Sequence, residues 1–164
     1  MIGKTMQDAM NEQINKELFS SYLYLSMAAW FEDRNLPGFA NWMRVQADEE
    51  REHAMKFYDF ILERGGKVQL KAIDAPKADW SSNLEVVEEV AAHEGKATAS
   101  IHALYELALK EKDYPAQVML QWFISEQVEE ERNAAEIVAS LKMIEAHETA
   151  VLQLDHRLSK RKGE

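Results

Sequence analysis

Glu50 and His53 lie three residues apart in the stretch ADEEREHAMKF (47–57). On a helix that spacing puts a carboxylate and an imidazole side by side on one face. The same face runs through Phe39, Met43 and Gln46 before the pair and Phe57 and Phe60 after it. The pair therefore looks into a core rather than out to water. Three other segments repeat the anomaly. One stripe reads Met10, Ile14, Glu17, Ser21, Tyr24, Ala28; a second reads Val87, Val90, Glu94, Ala97, Ile101, Leu104; a third reads Leu120, Phe123, Gln127, Glu130, Ala134, Ile137, Leu141. Each acid falls roughly 12 to 16 residues from the start of its helix, which at about 1.5 Å per residue brings Glu17, Glu50, Glu94 and Glu130 into one layer. One offset along the chain superposes Glu17 on Glu94 and Glu50 on Gln127. Another superposes Trp42 on Trp122 and Glu50 on Glu130, so an internal repeat stays open.

Four carboxylates sharing a buried layer repel one another, and each is expensive to bury charged unless it gains a proton or a partner. No Lys or Arg falls in the stripes at that level. Two divalent cations would balance the four negative charges, with His53 adding a neutral nitrogen ligand. Oxygen donors with one imidazole suit iron or manganese and leave zinc open. Bundles that hold two metals are built this way, with one Glu from each of two helices and a Glu-x-x-His from each of the other two. The alternative is a set of protonated or water-bridged core residues.

The elements that must position these groups follow from the apolar period. Long helices are predicted over 5–32, 37–64, 83–112 and 115–144, and a short amphipathic one over 146–159. Asp33-Arg34-Asn35 breaks the first, Gly65-Gly66 caps the second, and Pro37 and Pro115 suit first turns. The stretch 67–82 is long for a turn between antiparallel neighbours and suits a crossing of the bundle's whole length. The expected fold is all-α: an up-down-down-up four-helix bundle with a long crossover between the second and third helices, plus a short fifth helix. It forms one domain over 1–164. Apolar Val151, Leu152, Leu154 and Leu158 on the fifth helix are expected at a subunit interface.

Composition narrows the function. The 164 residues are 46% hydrophobic and 29% charged, with six Gly and three Pro. The formal net charge of −10 offers no basic footprint for nucleic acid. No apolar run reaches the length of a membrane span, and MIGKTMQDAMNEQ lacks the apolar core of a signal peptide. Absence of Cys removes thiolate metal sites, disulfides and thiol catalysis, and a reducing, cytoplasmic setting is the expectation. His93, His102, His147 and His156 lack acid partners at ligand spacing and are read as surface or interface residues. The basic tail SKRKGE is read as a frayed C-terminus.

On these residues the chain resembles the non-haem ferritins of bacteria and archaea over essentially its whole length. The resemblance is carried by Glu17, Tyr24, Glu50-x-x-His53, Glu94 and Gln127-x-x-Glu130, and by the phrases NEQINKELFSSYLYLSMA, GFANWMRVQADEEREHAMKFYDFILERGG and LQWFISEQVEEE. It implies a ferritin-like di-iron fold and a role for each residue. Glu17, Glu50 and His53 would hold the first iron. Glu50 would bridge to the second, held also by Glu94 and Glu130 with Gln127 beside it. Tyr24 would donate a hydrogen bond or an electron. Glu49, Glu126 and Glu129 match a third iron site facing the interior of a shell, and Trp122 is either packing or a further electron donor. The implied activity is ferroxidase: Fe(II) is oxidised by dioxygen or hydrogen peroxide and stored as an Fe(III) mineral in a homo-oligomer of 24 subunits, with no nucleic-acid or membrane partner. Two departures count. Gln127-x-x-Glu130 stands where haem-containing relatives carry Glu-x-x-His, and Arg51 stands where a haem-facing Met would be, so no haem is expected and the second iron loses an imidazole. A rubrerythrin-like di-iron peroxidase without storage is the rival; it would usually need a Cys-rich module for electron entry. Small DNA-protecting cages place their iron sites between subunits, whereas all six candidate ligands here lie in one chain.

Overall fold

The computed structural model describes residues 1–144 and 146–163; Glu164, the last residue of the basic tail, lies outside them. Five helices follow in chain order: α1 (Lys4–Asp33), α2 (Pro37–Glu63), α3 (Asn83–Lys110), α4 (Tyr114–Ile144) and α5 (Glu148–Leu158). The described residues contain no strand. The expected bundle of four long helices with a short fifth is the fold observed.

Three helices end in the same way. After α1, α2 and α3 the backbone turns left-handed at Asn35 (φ 57), Gly65 (φ 70) and Lys112 (φ 54). Each turn closes with a pair of backbone bonds. After α1, Asn35 N donates to Glu32 O and Leu36 N to Phe31 O; after α2, Gly65 N donates to Leu62 O and Gly66 N to Ile61 O; after α3, Lys112 N donates to Leu109 O and Asp113 N to Ala108 O. These are Schellman turns, which satisfy carbonyls the helix leaves open. Helix starts differ. Ser82 caps α3 by accepting from Glu85 N at 3.1 Å. Helix α2 has no side-chain cap from its own segment; instead Asp155 reaches over from α5 and accepts from Phe39 N at 2.9 Å. A Cβ on Gly38 would lie 1.7 Å from Asp155 O, so α5 can seat there only over a glycine.

The crossover sets the topology. Near the start of α1, Asn11 Nδ2 donates to Lys67 O (3.0 Å) and Gln69 N donates to Asn11 Oδ1 (2.7 Å). Further along, Ser26 Oγ donates to Lys77 O (2.7 Å), and Trp30 Nε1 donates to Asp79 Oδ1 (3.0 Å). The segment thus travels the length of α1 and delivers α3 to the end where α2 began. Helices α2 and α3 therefore run in the same direction, completing up-down-down-up.

The core is split in two. One cluster joins Tyr24, Met27, Phe31, Phe39, Met43, Val87, Val90, Ile137 and Leu141 with Leu154 and Leu158 of α5. The other joins Met10, Ile14, Phe57, Ile61, Ile101, Leu104, Leu120 and Phe123. Between them lie the buried polar residues Gln13, Glu17, Gln46, Glu50, His53, Glu94, Gln127 and Glu130. Three expectations shift. Phe60 is only half-buried, and Ile61 takes its place in the core; Ala97 is half-buried where α3 faces a surface cleft. On α5, Val151, Leu154 and Leu158 are covered by their own chain, leaving only Leu152, 57% exposed, for an interface.

Candidate metal centre

Four helices each bring an acid to the dividing layer. Glu17, Glu50, Glu94 and Glu130 are at most 4% exposed. No Lys or Arg appears among the buried side chains described. One ligand atom from each of Glu17, Glu50 and His53 falls within 4.8 Å of the others, and the same holds for His53, Glu126 and Glu130. His53 is common to both groups, so the two constellations adjoin. Glu94 belongs to neither. Its carboxylate accepts a hydrogen bond from the Tyr24 hydroxyl and a longer one from Gln127 Nε2 at 3.4 Å. Gln127 Nε2 also approaches Glu94 O (3.3 Å) and Thr98 Oγ1 (3.1 Å), so its amide N–H side faces α3.

Burial governs the protonation of the layer. Desolvation pushes Glu50 well above the usual carboxylate range; the charges of Glu17 and Glu94 and a hydrogen bond shared with Glu17 push the same way. That bond lowers Glu17, whose pKa is nonetheless raised by burial, so burial favours a proton on this pair. Burial, then the charge of Glu130, lifts Glu94 to about 7 against the bonds from Tyr24 and Gln127. Burial holds His53 down at about 4, helped by Lys56, leaving a neutral imidazole with a lone pair to offer. Tyr24 is raised well above its ordinary value by burial and by Glu94 and Glu50, so it remains a phenol and a donor. Left to the protein's own groups, the layer holds protons where cations could sit. Its donors are hard carboxylate oxygens with one imidazole nitrogen, a set that fits iron or manganese.

The three outer acids lie together. Glu49, Glu126 and Glu129 line a pocket of about 170 Å³ with Glu130, Asn133, Arg161 and Lys162. Glu126 leans toward His53 and Glu130, bridging pocket and layer. Glu129 is exposed and lies 3.4 Å from Arg132, and Glu49 pairs with Arg161 at 2.7 Å. Trp122 is 39% exposed, one residue off the stripe occupied by Phe123. Its ring meets His53 edge-on at 5.5 Å, and Lys56 Nζ sits 4.4 Å above it.

Four residues matter more than their sequence indicated. Gln13 Nε2 donates to Glu17 Oε1 at 2.7 Å, and Gln46 Nε2 to Glu130 Oε2 at 2.9 Å. The Gln13 bond spans one helical turn and was visible in the spacing; the Gln46 bond crosses from α2 to α4 and was not. His93, read as a surface or interface residue, is half-buried, hydrogen-bonded to Ser20 Oγ at 2.8 Å and edge-on to Tyr24. Its partners come from α1, beyond the reach of spacing within α3. Arg161, read as part of a frayed tail, is docked against α2.

Comparison with known proteins matches a ferritin-like domain over residues 7–144. The chain is 41% identical over 161 residues to a bacterial non-heme ferritin of Bacteroides fragilis, covering 98% of this chain and 100% of that protein. It is 45% identical over 131 residues to a bacterial non-heme ferritin of Staphylococcus saprophyticus, covering 80% and 78%. Among solved structures, an open-pore ferritin from the hyperthermophilic archaeon Archaeoglobus fulgidus matches with a TM-score of 0.98 at 49% identity, over 99% of this chain and 100% of that chain. A form of Archaeoglobus fulgidus ferritin engineered to be closed matches with a TM-score of 0.98 at 48% identity, over 100% of both.

Proposed function

The chain belongs to the ferritin family, and from that premise we propose that it is an iron-storage ferritin with ferroxidase activity. The observation that carries this reading is the buried layer: four acids and a neutral histidine, from four helices, with no buried Lys or Arg to balance them. Glu17, Glu50 and His53 take the first Fe(II). Glu50 bridges to the second, which Glu94 and Glu130 hold, while Gln127 positions Glu94. Incoming cations displace the protons on Glu50 and Glu94. Each Fe(II) gives up one electron; dioxygen accepts two electrons and two protons and leaves as hydrogen peroxide, or hydrogen peroxide accepts the same and leaves as water. Tyr24, a phenol bonded to Glu94, would donate a hydrogen bond or an electron. Fe(III) then passes by Glu126 to Glu49 and Glu129 and hydrolyses to a mineral.

Storage needs a closed volume, and a homo-oligomer of 24 single-domain subunits, with Glu49 and Glu129 facing inward, would supply one. Among the described residues no helix is long and apolar enough to cross a membrane, and a cytoplasmic shell is part of the proposal. The test is anaerobic loading of the chelated protein with Fe(II), then mixing with oxygenated buffer. A fast visible transient that saturates near two Fe(II) per chain, and is lost in Glu50→Ala and His53→Ala, is the expected result. Equally slow oxidation by wild type and both variants would remove the layer from the chemistry.

A further inference from the structure

Ser159 and Arg161, just past α5, are docked. Asn41 Nδ2 lies 3.3, 3.4 and 3.1 Å from the carbonyls of Leu158, Ser159 and Arg161, drawing the end of α5 down onto α2. The Arg161 guanidinium then lies over the Trp42 ring at 4.6 Å. From there it reaches along α2 to Glu49, where Nη2 donates at 2.7 Å. Glu49 lies about two helical turns beyond Trp42 on the same side of α2, so the side chain follows the helix into the acidic pocket. Lys162 lines the same pocket.

We propose that Arg161 is a resident counter-cation of the Glu49, Glu126 and Glu129 pocket, and that it controls which cations can occupy it. The proposal rests on the reading of that pocket as a station for outgoing iron. A guanidinium brings one positive charge and two or three directed bonds. Here only part of that capacity is engaged, because Nη1 is buried without a hydrogen-bond partner in the described structure. A seat bonded through only part of the guanidinium can yield to a multivalent cation, whose attraction to several carboxylates grows with its charge. Occupation by Fe(III) would expel the arginine, and release of the ion into the mineral would let it return. The outer station would thus be closed between turnovers without a moving domain.

The probe is Tb(III), a hard trivalent cation whose luminescence is sensitised by nearby tryptophan. Chelated wild type, Arg161→Ala, Arg161→Lys and a chain ending at Ser159 are each titrated, with and without Glu49→Gln. Expected is one Glu49-dependent site that binds about tenfold tighter in Arg161→Ala and in the shortened chain, a gain of about 1.4 kcal/mol, with Arg161→Lys close to wild type. Helical content by circular dichroism checks that the variants fold; the shortened chain reports even if the point variant does not. A Glu49-dependent site of equal affinity in wild type and both tail variants overturns the role of Arg161 and leaves the outer station standing. Absence of any Glu49-dependent site, even in the shortened chain, overturns both.

Discussion

Glu94 and Glu49 are both carboxylates partway along bundle helices, yet their charges are met in opposite ways. Glu94 is fully buried, and desolvation raises its pKa to about 7, so near neutrality it is partly protonated. Glu49 has an 18% exposed side chain and is met by an arginine. The difference teaches where a protein can leave room for a mobile cation. In the dry layer a fixed Lys or Arg would have to be desolvated beside each acid; a proton is smaller and leaves when a metal arrives. At the wet rim a long side chain can do the balancing, because water takes over when it swings away.

The sharpest way to break this contrast is Glu50→Gln. The amide resembles the protonated acid, so the chelated protein should be no less stable, while Mn(II) affinity falls about a hundredfold with the loss of the carboxylate proposed to bridge the metals, roughly 3 kcal/mol. Calorimetric titration beside thermal unfolding reads both. A large loss of chelated stability would mean that Glu50 is ionised and paired in the fold.

Next comes pH. Glu94 and Glu50 have raised pKa values in the fold, so the folded chain keeps protons that the unfolded chain has released. Their contribution to stability is whole below their ordinary values and is lost as pH rises through the folded ones. His53, depressed to about 4, acts in the opposite direction below its ordinary 6.5, which makes the higher range the cleaner one. Between about pH 6.5 and 8.5 the chelated protein should lose about 1 to 3 kcal/mol, visible as falling urea midpoints. Saturating Mn(II) should abolish or reverse the trend, because the metal-bound carboxylates no longer titrate there. A rise in stability over that range without metal would refute the protonated layer.

Smaller effects grade the boundary between the regions. Gln13→Leu and Gln46→Leu should each weaken Mn(II) binding about tenfold, as removal of an orienting partner typically does. Unchanged affinity would show that Glu17 and Glu130 need no guidance. Smallest is Glu49→Gln, which should change unfolding stability by less than about 1 kcal/mol, since its ion pair is partly solvated. A larger loss would place the rim in the same dry environment as the layer.

Much of the fold was legible because helices advertise themselves locally. The apolar stripes gave every long helix within a few residues, and the length of 67–82 predicted a crossing before the hydrogen bonds to Asn11, Ser26 and Trp30 demonstrated it. The inward glutamates were legible for the same reason, since a carboxylate in an apolar stripe stands out. Lys112 at positive φ was not, because nothing in its residue type marks a left-handed turn. Nor was the cap that Asp155 provides for α2, which spans 116 positions in the chain.

Periodicity within single helices therefore determined the bundle, its polar layer and the identity of the acids there. Tertiary structure alone decided that Glu17 and Glu50 share a hydrogen bond, that Gln46 attends Glu130, that His93 meets Ser20, and that a tail read as frayed carries Arg161 to Glu49. The reason is physical. Helix spacing is a property of one segment, whereas desolvation and hydrogen-bond partnership depend on what the other segments bring within a few ångströms.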